Sequence, residues 1–258
     1  MRKLFTTLGA LALVLVAAGS AQAVSLTDLL GGGSIQVNDK LFDQWEVLFN
    51  EGSRYADPTD PFAGIDPVIT AVNTDNIEVS GLVDGGLDPG PGLRFDILND
   101  ELSVTGDDWY ATIDFQFGFR VSVLDPLLRI KDNSLGDFNA FLGYSPDGLN
   151  DNGSYILESI GTAPGLDDLG IKDVEFSVLD DATTSDLTDS AAFDPQSEIW
   201  VTKNLFVWAT DATDQAGIQG FSQRFSQVAA IPEPSTWLLM GLGLAGLFGG
   251  SRRMRARA

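Results

Sequence analysis

The sequence contains no cysteine and no histidine. Without cysteine the chain can form no disulfide framework, and thiol nucleophiles and zinc–thiolate sites are excluded. Without histidine it lacks the usual general base, the Ser-His-Asp triad and the commonest metal ligand. Any catalytic site in this chain would therefore depend on carboxylates, lysine or tyrosine.

Basic residues are also scarce. The chain has 15 lysines and arginines and 37 aspartates and glutamates, which gives a formal net charge of −22. Part of the basic minority lies at the two ends, so the middle of the chain is more acidic still. Such a surface repels nucleic acid phosphates and anionic lipid headgroups, and it keeps an exported protein well solvated. We therefore expect no nucleic-acid partner.

Long helical stretches are missing between the two ends, and the clearest pattern there has a period of two. In the segment TIDFQFGFRVSV, polar residues separate the apolar ones along twelve positions. This alternation predicts a strand with one buried and one solvated face, as antiparallel sheets allow. Its apolar residues are Ile113, Phe115, Phe117, Phe119, Val121 and Val123.

Other segments repeat this pattern more weakly, and turn signals rich in glycine, proline, asparagine and aspartate separate them. The strand segments are 34–49 (a pair with a turn near Asn38-Asp39), 77–83, 92–97, 127–131, 154–160, 174–179, 198–210 and 220–228. The other turn signals are 84–86, 88–92, 145–148 and 152–153, and segments 56–68 and 180–198 are predicted as loops.

Many short strands without a fixed repeat predict a single all-β domain at residues 24–230, of the β-sandwich or jelly-roll-like type. We expect aromatic side chains to fill the space between its sheets. The residues assigned to this core are Phe115, Phe117, Phe176, Trp200, Phe206 and Trp208.

Residues 1–23 have the features of a secretory signal peptide. Arg2 and Lys3 precede a compact apolar run, and Ala21 and Ala23 form the small-x-small pattern that a signal peptidase recognises. We therefore expect the mature chain to begin at Val24. The alternative is an ordinary buried N-terminal helix.

Residues 231–258 contain three different segments in order. Pro232, Glu233 and Pro234 form an extended, accessible peptide, because the prolines lack donors and restrict their neighbours. The uncharged segment 237–250 predicts a transmembrane helix, although it is shorter than the roughly 20 apolar residues of a stable anchor. The anchoring residues are Trp237, Leu238, Leu239, Leu242, Leu244, Leu247 and Phe248, and the arginines that would stay in the cytoplasm are Arg252, Arg253, Arg255 and Arg257.

This order resembles the PEP-CTERM sorting signal of exported proteins in Gram-negative bacteria, with Ile231 standing where valine is commoner. The resemblance implies that a membrane protease of the exosortase class recognises the signal and removes the anchor. It also implies an association with extracellular polysaccharide and biofilm. Segments 31–47, 91–96 and 222–228 look like the β-rich exported domains that often accompany this signal. The alternative is a plain C-terminal anchor with an incidental Pro-Glu-Pro.

Residues 145–159 resemble a calcium-binding loop only in composition. Asp147, Asn150, Asp151 and Asn152 precede Gly153. The helix–loop–helix spacing would put its first ligand on Gly148 and its last on Ser159, so the pattern fails and a surface turn is predicted. We expect no metal and no cofactor.

Paired carboxylates for sugar hydrolysis are the remaining catalytic candidates. Three adjacent pairs occur, at 107–108, 167–168 and 180–181, and Glu158 and Glu175 lie in predicted strands. In so acidic a chain such pairs arise by coincidence, and glycosidase geometry is set in space. The sequence therefore favours a non-enzymatic protein.

The expected role is structural, at the cell surface or in the extracellular polysaccharide matrix. A second hypothesis is a carbohydrate-binding module in which Trp109, Tyr110 or Tyr144 stacks on sugar rings. A third is a glycoside hydrolase that uses two carboxylates.

Overall fold

The computed structural model describes residues 23–54, 68–106, 110–144, 150–180, 182–211 and 213–230. The signal segment up to residue 22, the sorting motif, the apolar segment 237–250 and the arginine cluster lie outside these ranges. Among the described residues, no helix has the length and apolar character needed to cross a membrane.

The described chain is built from strands, with one short helix, α1 (Leu26–Leu30), and one 3-10 turn (Thr74–Asn76). The strands are β1 (Val24–Ser25), β2 (Ile35–Val37), β3 (Lys40–Arg54), β4 (Val68–Thr70), β5 (Ile77–Leu82), β6 (Gly92–Ile97), β7 (Ser103–Thr105), β8 (Ala111–Val123), β9 (Leu128–Gly143), β10 (Asp151–Gly161), β11 (Gly170–Leu179), β12 (Ala182–Asp186), β13 (Asp189–Gln196), β14 (Glu198–Ala209), β15 (Gln215–Arg224) and β16 (Gln227–Ala229).

These strands form two antiparallel sheets. Sheet I has the order β1-β5-β6-β15-β9-β13, with β16 also paired to β9 and β7 to β15. Sheet II has the order β12-β11-β10-β14-β8-β3-β2, with β4 also paired to β3. Neighbours in the sheets are often far apart in sequence, as in a β-sandwich with Greek-key connections. The predicted all-β sandwich is confirmed.

Aromatic side chains from both sheets meet in the core. Trp45 of sheet II stacks on Phe119 with ring centroids 4.5 Å apart, and Phe95 of sheet I stacks on Phe221 at the same separation. Phe95 also contacts Phe117 of sheet II at 5.8 Å, which joins the two layers. Strand β8 shows the predicted alternation, with its apolar side chains toward this core.

Three of the aromatic residues assigned to the core are not in it. Trp200, Phe206 and Trp208 are half-buried and lie on the outer face of sheet II, so that prediction was wrong. Alternation in β14 is satisfied by either set of residues, because both sets contain large apolar side chains. The residues that face inward are Ile199, Val201, Lys203, Leu205, Val207 and Ala209. Phe115 and Phe117 are buried as expected, and Phe176 packs against the core.

The predicted loop at 180–198 is also wrong, because it contains β12 and β13. Strand β12 is exposed at every position, and both strands lie at the edge of a sheet. An edge strand needs no continuous apolar face, so its sequence carries little strand signal. The predicted loop at 56–68 falls outside the described residues except for Val68, where β4 begins.

Candidate functional site on the outer face of sheet II

The strand register places outward-facing residues of sheet II in rows that cross the strands. One row joins Glu51, Asp114, Phe206, Tyr155 and Glu175, on β3, β8, β14, β10 and β11. With neighbouring strands about 4.8 Å apart, this row is about 19 Å long. It puts two aromatic rings in the middle and carboxylates toward both ends. The next row joins Ser53, Thr112, Trp208, Gly153 and Ser177.

Tyr155, Phe206 and Trp208 form an aromatic cluster at the centre of these rows. The rings of Tyr155 and Phe206 are stacked with centroids 5.3 Å apart, and Trp208 is 5.8 Å from Phe206. The Trp208 indole nitrogen donates a hydrogen bond of 2.9 Å to Asp151. The indole lies directly against Gly153, where a Cβ would be 2.5 Å from the ring. The absence of a side chain at Gly153 therefore leaves room for the Trp208 ring.

An open groove of about 230 Å³ adjoins this cluster. Its most accessible aromatic side chains are Phe49 and Tyr110, whose exposures are 41% and 42%. The groove is lined by Phe49, Glu51, Ser53, Tyr110, Thr112, Asp114 and Phe206. It thus combines apolar ring faces with two carboxylates and three hydroxyl groups.

The phenols beside the groove stay protonated at neutral pH. Burial and the nearby carboxylates of Asp114 and Glu175 raise the pKa of Tyr155, and burial and Asp151 raise the pKa of Tyr110. A neutral phenol donates a hydrogen bond, and a carboxylate accepts several. The face can therefore receive a ligand with apolar ring faces and many hydroxyl groups.

Of the carboxylates named from the sequence, Glu175 lies in the row that contains the aromatic cluster. Glu175 lies three strand spacings, about 14 Å, from Asp114, farther than the about 5–10 Å between glycosidase carboxyl groups, whereas Glu51 and Asp114 are direct cross-strand neighbours about one strand spacing apart. Glu158 is buried between the sheets. Asp168 accepts hydrogen bonds from the backbone and side chain of Thr162, which lower its pKa. Asp107, Asp108 and Asp181 lie outside the described residues.

The residues of the failed calcium pattern have structural roles where they are described. Asp151 accepts the indole hydrogen bond, and Asn152 donates bonds of 2.7 Å to the carbonyls of Gly143 and Gln215. Both residues begin β10, so the turn predicted at 152–153 is wrong. Asp147 lies outside the described part of the chain. Within that part, no group of three or more Asp, Glu, His or Cys side chains could hold a metal ion.

Of the aromatic residues predicted to stack on sugars, only Tyr110 lies at the groove. Tyr144 is exposed beyond the end of β9, and Trp109 lies outside the described residues. The sequence did not single out Phe49, Tyr155, Phe206 or Trp208 for this face. The alternation along β3, β10 and β14 separates the side chains of each strand into two sets. It does not show which set faces outward until the side chains that face the core are known.

A second polar group is fully enclosed between the sheets. The Glu158 carboxylate accepts bonds of 2.7 Å from Lys172, 2.8 Å from Asn133 and 2.9 Å from Gln223. It also pairs with Lys203. Asn133 and Gln223 come from sheet I, and the three charged residues come from sheet II. We call these five residues the buried polar cluster.

Burial lowers the pKa of Lys203 to about 8, and it also lowers the pKa of Lys172. Burial acts on Glu158 in the opposite direction, but the two lysines outweigh it and hold the pKa of this carboxyl below its usual range. The cluster therefore contains a carboxylate and two ammonium groups whose protons are easily lost.

Two solved structures resemble this chain at low sequence identity. TmCBM61 in complex with β-1,4-galactotriose is 13% identical, with 59% of this chain and 82% of that chain covered and a TM-score of 0.21. Endoglucanase 3 of Trichoderma harzianum, from family GH12, is 8% identical, with 71% and 98% covered and a TM-score of 0.25. No curated protein matches the sequence.

One family comparison is specific, and it concerns the C-terminal end. The PEP-CTERM protein-sorting motif matches residues 230–253, which include Pro232, Glu233, Pro234, the apolar segment and the first two arginines of the cluster. This confirms the resemblance found in the sequence. The chain therefore carries the PEP-CTERM protein-sorting motif at its C-terminal end.

Proposed function

We propose that this chain is exported, processed at both ends and delivered to the cell surface or polysaccharide matrix of a Gram-negative bacterium. There its sandwich acts as a non-enzymatic, polysaccharide-binding component. The sorting motif at residues 230–253 is the observation that supports delivery to the cell surface. Signal peptidase would cut after Ala23, and an exosortase-type protease would recognise Pro232, Glu233 and Pro234. The apolar segment would hold the chain in the inner membrane until that cut.

The sorting proposal is tested by the change Glu233→Ala in the native host. We expect the variant to remain in the membrane fraction with its arginine cluster attached, because the protease loses its recognition element. Mass spectrometry of the C-terminal peptide measures this. Asp186→Ala, an acidic-to-alanine change at an exposed position of β12, is the control and should be processed normally. Normal release of the Glu233→Ala variant would contradict the proposal.

Polysaccharide binding is supported by the aromatic cluster and the adjoining groove. The faces of sugar rings carry C–H groups that pack on aromatic rings, and their hydroxyl groups donate to carboxylates such as Glu51 and Asp114. The row is about 19 Å long, which suits an extended chain of several sugar rings. The acidic body repels anionic polymers, so the expected ligand is neutral or bound through cations.

Binding is tested with the host's own extracellular polysaccharide by affinity electrophoresis. Phe206→Ala should weaken binding at least tenfold, because it removes the ring shared by the cluster and the groove. Trp200→Ala is the matched control, since Trp200 lies on the same face of β14 three rows away. Equal losses in both variants, or no binding by the unaltered protein, would contradict this function. Release of reducing sugar would contradict a non-enzymatic role.

A further inference from the structure

The buried polar cluster brings a lysine amine, an asparagine amide and a carboxylate into mutual contact. Lys172 Nζ lies 2.5 Å from Asn133 Oδ1. Glu158 Oε1 lies 2.7 Å from that lysine nitrogen and 2.8 Å from Asn133 Nδ2. One oxygen of Glu158 therefore lies within hydrogen-bond distance of both Lys172 Nζ and Asn133 Nδ2. Glu158 and Lys172 are cross-strand neighbours on β10 and β11 of sheet II, and Asn133 faces them from β9 of sheet I.

We propose that Lys172 and Asn133 join in an intramolecular isopeptide bond, formed by the protein itself with Glu158 as the catalytic proton carrier. The bond would be a covalent link between sheet I and sheet II in a chain that has no cysteine. This proposal is independent of polysaccharide binding and of the sorting step.

The distance between the reacting atoms is short enough for attack. An amide C=O bond is about 1.2 Å long, so Lys172 Nζ lies within about 3.7 Å of Asn133 Cγ. Near-attack geometries place reacting atoms about 3–3.5 Å apart, which a small side-chain movement provides. Both side chains are held by packing and hydrogen bonds, so little orientational freedom remains to be lost.

The enclosure of the site favours a neutral lysine amine, which is the nucleophile. Lys172 is 1% exposed and Glu158 is 0% exposed. Burial disfavours the ammonium form, as the lowered pKa of Lys172 shows. Glu158, with its pKa held low by the two lysines, is ionised and can accept a proton from Lys172 across 2.7 Å.

The reaction balances without any other reagent. Glu158 takes a proton from Lys172, and the free amine attacks Asn133 Cγ to form the Nζ–Cγ bond. Glu158 then delivers that proton to Asn133 Nδ2 and the Cγ–Nδ2 bond breaks. The ammonia that is released takes up the second proton of the former amine and leaves as ammonium, so Glu158 is ionised again. A lysine and an asparagine become one secondary amide, and no atom is oxidised or reduced.

Two further members of the cluster stabilise the charge that develops. Gln223 Nε2 lies 3.1 Å from Asn133 Oδ1, where the tetrahedral intermediate carries its negative charge. Lys203 pairs with the other oxygen of Glu158 and lies 5.1 Å from the centre of the Phe221 ring. Gln223 therefore acts directly on the reacting amide oxygen, whereas Lys203 acts through Glu158 and is a positioning residue.

The test is a peptide map of the purified, denatured wild-type protein cut at glutamate. The nearest cleavage sites are Glu101, Glu158 and Glu175, so Asn133 lies in peptide 102–158 and Lys172 in peptide 159–175. We expect these peptides to remain joined, with a mass about 17 Da below their sum because ammonia is lost. Working with internal peptides makes the result independent of processing at either end.

Three variants refine the map. Lys172→Arg should release both peptides at their sequence masses, because arginine does not attack the amide. Asn133→Asp should keep them joined with water lost instead of ammonia, about 18 Da. Lys131→Arg is the control on β9, since Lys131 is outside the cluster and pairs with Asp88, and it should keep the 17 Da deficit.

Two results would overturn the proposal. Separate wild-type peptides at their full masses would show an ordinary buried network of ion pairs. A 17 Da loss confined to the unjoined peptide 102–158 would show ring closure of an asparagine with its own backbone. Because the wild-type map decides between these outcomes, a variant that fails to fold does not remove the test.

Discussion

Three lysines of the described chain are buried, and two of them, Lys203 and Lys40, have contrasting surroundings. Lys203 pairs with Glu158, whereas Lys40 Nζ has no hydrogen-bond partner among the described residues and lies 4.0 Å from a carboxylate oxygen of Asp39. Burial lowers the pKa of Lys40 to about 8, with Asp39 acting against this shift. An unsatisfied buried polar group costs about 1–3 kcal/mol, so Lys40 is a local source of instability.

The change Lys40→Met should raise the free energy of unfolding by about 1–3 kcal/mol at pH 7, because it removes this cost and keeps the packed stem. In wild type the unfolded chain binds more protons than the folded one between pH 8 and 10.5, so its stability rises with pH in that window. The advantage of the variant should therefore shrink by pH 9.5. Urea unfolding at the two pH values measures this, and an advantage independent of pH would contradict it.

Residue identities allow part of the candidate site to be predicted, but they do not show which face of β14 is buried. In β14 both alternating sets contain large apolar side chains, and the aromatic set, with Trp200, Phe206 and Trp208, was predicted to face the core. The structure instead buries the set containing Lys203, because Glu158, Lys172 and the amides of sheet I surround that position. These partners come from other strands, so no local window of sequence contains them.

At the scale of elements, the position of a strand in its sheet determines how clearly its sequence predicts a strand. Strand β8 lies inside sheet II between β14 and β3, and its alternation was readable along its whole length. Strand β12 pairs on one side only, with β11, and buries none of its residues. Its threonines and acids read as a loop, since solvent surrounds most of each side chain.

Backbone hydrogen exchange should separate these two classes of strand. We expect amides of β12 to exchange at least 100-fold faster than those of β14, because an exposed edge opens without disturbing the core. Mass spectrometry of peptides covering Ala182–Asp186 and Glu198–Ala209 measures the difference. Equal protection of both segments would mean that β12 opens only when the whole sandwich unfolds.

At the scale of the whole molecule, the proposed link would add a covalent bond between two sheets that pack through side chains such as Phe95 and Phe117. Asn133 and Lys172 are 39 positions apart. Closing a loop of that length in the unfolded chain stabilises the folded one by about 4 kcal/mol in the chain-entropy description. This would suit a small exported domain that has no disulfide.

Lys172→Arg should therefore lower the melting temperature by roughly 10 °C, because the unfolded chain regains its freedom. Differential scanning calorimetry of matched samples measures the shift. Asn133→Asp, which re-forms the same amide, should melt close to wild type. A similar fall in that variant with its link intact would assign the loss to packing within the cluster.

The sequence by itself determined the class of the protein and its sorting motif. Alternation within single strands and the order of segments 231–258 are local patterns, so they can be read without knowing which parts of the chain meet. The tertiary structure alone decided which face of β14 is buried, the aromatic rows of sheet II and the meeting of Asn133, Glu158 and Lys172. Those features depend on register between strands that are distant in sequence, and that register is set by the packing of the whole core.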